Sequence, residues 1–249
     1  MKVVRNKLRH NHFAVVLAML VCMSFAFINP SKEPVAANVA TTALTTAVNA
    51  NMALYEGLEL ASLGLSHEAY VYALTGFQNL VQEGKIQKDN ILSILDFTLP
   101  SGKKRLFVID LATGELVFHT YASHGKNSGQ VIPTKFSNKN NSNQSSLGFY
   151  ITGDTYTGKH GESLRLLGEE EGINDKALQR GIVMHSATYV DENIIASQGF
   201  IGRSQGCPAI PKNISKEVIN KIKDGSCFFI YSPDKYYVTH SKMIHENRA

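Results

Sequence analysis

Apolar positions recur at helical spacing twice in succession: Leu54, Leu58, Leu60 and Ala61 across residues 52–65, then Ala69, Tyr70, Ala73, Leu74 and Phe77 across residues 66–81. Stripes of this period predict two short amphipathic helices. Ser66, three places before Ala69 and with Glu68 between them, is the expected N-cap of the second. After Asp89 the texture changes to short apolar runs separated by turn formers, which predicts strands. They are "ILDFTL", "RLFVID", "ELVFHTYA", "SLGFYITG", "SLRLLG", "GIVMHS" and "CFFIYS", with "LATG" turning the second into the third. One helix interrupts them, Ile214 to Lys223, with Val218, Ile219 and Ile222 on one face. The pattern predicts a mainly β domain with a few helices (α+β) over residues 90–235. A tether and helical extension precede it at 38–89, and a tail follows at 236–249. The polar stretch 123–146, rich in Ser and Asn, is too long for a passive connection in a compact domain, so it is either functional or poorly ordered.

The first 37 residues read differently. Lys2, Arg5, Lys7 and Arg9 precede an apolar run from Phe13 to Ile28, which breaks at Asn29-Pro30 and leads to the small residues Val35-Ala36-Ala37. That order is expected of a secretory signal cut near Asn38, with an uncleaved anchor as the alternative. The formal charge of +4 belongs to this segment: of 25 basic and 21 acidic residues, the remainder keeps twenty of each. A mature chain without net charge has no chain-wide electrostatic attraction to nucleic acid or to an acidic membrane. An exported protein, periplasmic or associated with the cell envelope, is expected.

Export bears on the cysteines. Cys207 lies in "GRSQGCPAIP", a stretch of turn formers, whereas Cys227 lies in an apolar run that resembles a buried strand. In an oxidising compartment the two form a disulfide, or Cys207 is a nucleophile. A cysteine attacks as thiolate and needs a base; His185, ending the run "GIVMH", is the best placed. A thiol activated in this way reacts with iodoacetamide well below pH 8. Gly206 permits a tight turn, so the amides of Gly206 and Cys207 are candidate oxyanion donors. Tyr150 either lines the site or packs in the core. Zinc on His124, His160 and His185 lacks the spacing that tight sites favour. The acidic run Glu169 to Glu171 is expected to be a solvated loop.

"IVMHSATYV" followed by "GRSQGCPAIP" resembles the signature of the L,D-transpeptidase catalytic domain (YkuD type), in particular its murein L,D-transpeptidase branch. The resemblance runs upstream through "RLFVIDLATGELVFHTYASHGKNSG" and "SSLGFYITGDTYTGKHGESLRLLG" and covers about residues 94–231. It implies a β-sandwich-like transpeptidase fold and no metal or organic cofactor. It also implies that Cys207 attacks the carbonyl before the terminal D-alanine of a peptidoglycan stem tetrapeptide. His185 would take the thiol proton, its ring oriented by the Ser186 carbonyl. The acceptor would be a stem-peptide amine, a lysine of a wall-anchored lipoprotein, or water.

This chain departs from the family pattern at three positions. Gln205 stands where many members have His and the closer branch has Trp; Ser186 stands where glycine is frequent; Ala209 stands where arginine is widespread. Carboxylate recognition falls to Arg203, or to Lys159 and His160, with Ser204 as a further substrate contact. The alternatives are an L,D-carboxypeptidase or wall amide hydrolase and, from another class, a peptidoglycan-binding module without turnover.

Overall fold

A computed structural model describes residues 52–159 and 161–245. The expected signal segment, the tether up to residue 51, His160 and the last four residues lie outside the described residues. Eight strands form one mixed sheet: β1 (Ile91–Asp96), β2 (Leu106–Asp110), β3 (Glu115–Thr120), β4 (Gly148–Gly158), β5 (Gly161–Gly168), β6 (Val183–Ala187), β7 (Ala209–Pro211) and β8 (Cys227–Tyr231). Their spatial order is β3-β2-β1-β8-β4-β5-β6-β7. The mainly β class with few helices is therefore as expected.

β1 and β8 explain the continuous apolar runs. They pair in parallel at the middle of the sheet and every residue of both is buried. A strand covered on both faces shows no polar alternation. Helix α1 (His67–Gln82) covers one face, burying Ala69, Tyr70, Ala73, Leu74, Phe77 and Leu80 in the same core as the strands. Each such large side chain stabilises the fold by about 1.5–3 kcal/mol. Gly76 lets the helix come that close: a Cβ there would stand 2.1 Å from the Phe149 ring, which stacks on Phe229 at 4.2 Å. The N-terminal helix is part of the core rather than an appendage to it.

Ser66 caps α1 as expected, its Oγ accepting the Ala69 amide at 3.2 Å. The preceding helix is shorter than its apolar stripe suggests. Residues 52–57 are helical and turns follow, with Glu59 at φ 50° and Gly64 at φ 98°. The expected helix after β7 is α3 (Ser215–Ile222), which buries Val218, Ile219 and Ile222. Two helices were not expected, α2 (Glu192–Gln198) and α4 (Lys235–His240).

The acidic run is not simply a solvated loop. Glu170 is buried and accepts the Phe149 amide at 2.7 Å, the Tyr237 hydroxyl at 3.3 Å and the Ser241 hydroxyl. It thereby ties α4 to β4.

The outer strands of the sheet order are also tied together. Chain leaving β3 bonds to chain entering β7: the Ser123 amide donates to Ala209 O at 2.8 Å, and Gly125 bridges Ser204. The long polar stretch 123–146 is thus laid along the turn that carries Cys207.

Candidate active site

β6 and β7 are parallel, with His185 opposite Ala209 and Ser186 opposite Ile210. Met184 and Ile210 enter the main core, while Ala187 and Ala209 join a small cluster with Val190 and Ile201. His185 shares the face of Ala187 by strand alternation. Cys207 stands two residues before Ala209, partly exposed, with its sulfur toward Gly181 O at 3.7 Å. The backbone amide of Val183 also faces the sulfur. The thiol therefore lies against the segment that runs directly into His185.

The Nδ1 of His185 lies 2.8 Å from the carbonyl oxygen of Ser186. A carbonyl only accepts, so in the neutral ring Nδ1 carries the proton and Nε2 is the basic nitrogen. The ring itself is buried.

The turn before Cys207 is built by Ser204. Its Oγ donates to the Cys207 carbonyl at 2.6 Å and accepts the Gly206 amide at 3.0 Å, while its own amide donates to His124 O at 2.9 Å. Gly206 has φ 130°, and a Cβ there would stand 2.8 Å from Gln144 O, so glycine is required both by conformation and by space. These contacts bear on two expectations. The Gly206 amide is spent on Ser204 Oγ, leaving the Cys207 amide of the proposed oxyanion pair. Ser204 is buried, and its hydroxyl is engaged within the turn on both sides.

Cys207 and Cys227 are both free thiols, which removes the disulfide alternative. Cys227 is fully buried in β8 between Leu92 and Ile151, its partners on the two neighbouring strands. Enclosure pushes the Cys207 thiol up from its ordinary value, opposed by the Val183 amide, the Arg180 charge and its own amide. This runs against the depressed thiol expected from the motif: the surrounding atoms desolvate the thiolate more than those groups stabilise it.

The remaining expected residues divide. Tyr150 is fully buried with its hydroxyl on Ser146 O at 3.0 Å, so it is a core residue and not a substrate contact. Arg203 is exposed and donates to the carbonyls of Lys126 and Gly129 at 3.3 and 3.2 Å. Lys159 is exposed at the tip of the β4–β5 hairpin, four residues before Ser163, the strand partner of His185. His124 holds Arg105 Nη2 at 2.8 Å with Nδ1 and Gly129 O at 3.1 Å with Nε2, so both ring nitrogens are engaged. Gln205 is exposed.

The model of the L,D-transpeptidase catalytic domain matches residues 61–231. This chain belongs to that family. Its matched region spans α1 to β8, so the helix counted above as part of the core lies within the family's own domain. Among solved structures, an L,D-transpeptidase from Mycobacterium smegmatis is similar at 16% identity and TM-score 0.36, over 57% of this chain and 59% of that one. An L,D-transpeptidase from Stackebrandtia nassauensis is similar at 12% identity and TM-score 0.35, over 68% of this chain and 69% of that one. No curated protein matches the chain.

Three residues of this transpeptidase domain reach the cysteine without having been singled out in the sequence. Ser123 Oγ accepts the Ala209 amide at 3.1 Å and lies 3.5 Å from the Cys207 carbonyl. The Tyr189 phenol is pushed up by burial, bonds with Ser123, and feels the charge of Cys207. Arg180, five residues before His185, also interacts electrostatically with Cys207. In the sequence it is a cation followed by glycine at the entry to an apolar strand, within the stretch that resembles the family.

Proposed function

We propose that this domain is a peptidoglycan L,D-transpeptidase that works through an acyl-enzyme on Cys207. The observation that carries the reading is the free thiol of Cys207 lying against Gly181 and Val183, on the segment leading to a histidine whose tautomer the Ser186 carbonyl sets. Membership of the transpeptidase family supplies the substrate class, a stem tetrapeptide ending in D-alanine.

The sulfur attacks the carbonyl carbon preceding the terminal D-alanine, and the thiol proton passes to Nε2 of His185. Because burial favours the neutral thiol, this transfer accompanies the attack rather than preceding it. The Cys207 amide meets the developing oxyanion, a contact typically worth about 3 kcal/mol in the transition state. Collapse breaks the C–N bond. D-Alanine leaves with the proton from His185, and a thioester remains on Cys207. An acceptor amine then attacks the thioester, its proton passing through His185 to the departing sulfur, and the thiol is restored. Arg203, beside the cysteine turn, and Lys159, at the hairpin tip, are the cations offered to substrate carboxylates.

The amino-terminal signal pattern supports export to the cell envelope, where this substrate is found. Among the described residues no helix is long and apolar enough to cross a membrane. The acceptor separates transfer from hydrolysis. Incubation with disaccharide tetrapeptide yields cross-linked dimer for a transpeptidase, tripeptide alone for a carboxypeptidase, and unchanged substrate for a binding module. Loss of all products in Cys207→Ala ties them to the thiol; products that persist in that variant overturn the proposal.

A further inference from the structure

Arg180 sits in the turn before β6, and its guanidinium gathers oxygens from the long polar stretch. Nη1 donates to Ser137 O at 2.7 Å and to Ser146 Oγ; Nη2 donates to Ser142 Oγ at 3.2 Å and to Gln144 O at 2.7 Å. These four acceptors span ten residues of a segment with no regular secondary structure. All are neutral, and among the described residues no carboxylate forms an ion pair with this cation. A partly buried guanidinium without an anion retains its charge for whatever anion forms nearby.

The cysteine turn is what lies nearby. A Cβ on Gly206 would stand 3.5 Å from Arg180 Nη2 and 2.8 Å from Gln144 O, the same oxygen that Nη2 holds. Gly181, the next residue along, presents its carbonyl to the Cys207 sulfur. The stapled stretch also reaches the turn from its other side, where Ser145 Oγ donates to Gly206 O at 3.2 Å. One guanidinium therefore fastens the wall against which the Gly206-Cys207 backbone rests, and places a positive charge beside the thiol.

We propose that Arg180 is a positioning residue for Cys207, holding the 137–146 wall in place and stabilising negative charge on the sulfur. The proposal deepens the transpeptidase reading and rests on it for its catalytic meaning. Two groups bear on the charge of this thiol, Arg180 from the turn before β6 and Tyr189 from the loop after it; His185, on the strand itself, is the proposed acceptor of its proton. Arg180 lowers the cost of the thiolate, and Tyr189 becomes harder to ionise once the thiolate forms. Lysine in place of Arg180 would keep the charge but could not fork to four oxygens.

The test is the pH dependence of iodoacetamide alkylation at Cys207, read on its own peptide by mass spectrometry in the full chain. Arg180→Gln should raise the midpoint by about one pH unit, which is about a tenfold slower reaction at pH 8. Arg180→Lys should restore most of that rate while exposing 137–146 to proteolysis. A purely structural role would lower the melting temperature and leave the midpoint in place, so an unshifted midpoint in folded Arg180→Gln overturns the proposal. Should Arg180→Gln not fold, Arg180→Met, which keeps an unbranched stem without the charge, is read in the same way: a midpoint raised by about one unit supports the proposal, and an unshifted midpoint overturns it. Neither arm uses peptidoglycan, so failure of the transpeptidase reading would appear separately, as absent turnover with the alkylation result intact.

Discussion

His185 and Ala209 are direct partners across the parallel β6–β7 pair, and the Ala209 side chain is fully buried with Ala187, Val190 and Ile201. The position two after the cysteine therefore points into a small apolar cluster behind the histidine. The arginine widespread there in the family has no room in this chain. Ala209→Arg should cost about 3 kcal/mol or more through overpacking and an unpaired buried charge. Urea unfolding checks it, and parent-like stability would refute the packing described.

Ser204 is predicted to matter through the turn. Ser204→Ala strips the acceptor from the Gly206 amide and the donor from the Cys207 carbonyl, both buried or partly buried. A loss of about 1–3 kcal/mol is expected. Ser204→Thr, which keeps the hydroxyl, should recover part of it; equal losses in both variants would point to crowding instead.

The thiol itself should titrate high. Burial raises Cys207, so its alkylation should keep climbing through pH 8.5 with no reactive plateau at neutrality. His185→Ala should leave that profile nearly unchanged while lowering turnover by about 10²–10⁴-fold. A neutral-pH plateau that disappears in His185→Ala would instead establish a thiolate–imidazolium pair.

His124 makes stability pH-dependent. Burial and the Arg105 charge push its ring down to about 4 from an ordinary 6.5. The Arg105 Nη2 donor requires Nδ1 to accept, so Nε2–H donates to Gly129 O and a second ring proton has no place. The unfolded chain takes up this proton first. Stability from the neutral ring is therefore complete above about pH 6.5 and is lost as pH falls toward 4, on the order of 3 kcal/mol in all. Denaturant melts between pH 4 and 7 should show this slope, and His124→Gln should flatten it. His119, also pushed down by burial, contributes the same sign and remains in the variant as a control.

Where burial patterns were one-sided or complete, the sequence was informative. "CFFIYS" is apolar because β8 is covered on both faces, and Val218, Ile219 and Ile222 share a face because α3 lies on the core. α2 left no such trace: none of its residues is buried, and Asp191 caps it from outside any apolar stripe. β7 has only three residues, too few for a period to appear. Within the candidate site, Cys207 and His185 stood out by chemistry and by resemblance. Arg180 did not, because its partners lie 34 to 43 residues earlier in chain with no regular element of its own. Tyr150 looked like a lining residue in one dimension and is fully buried on Ser146 O, and Ser204 turns out to hold the cysteine turn together.

The most direct measurement is site-resolved mass spectrometry of the protein mixed with disaccharide tetrapeptide or with a carbapenem. An acyl adduct on the Cys207 peptide, absent in Cys207→Ala, slowed in His185→Ala and accompanied by released D-alanine for the tetrapeptide, is the predicted result. Muropeptide bound without any adduct or D-alanine, or acylation at a residue other than Cys207, would contradict it.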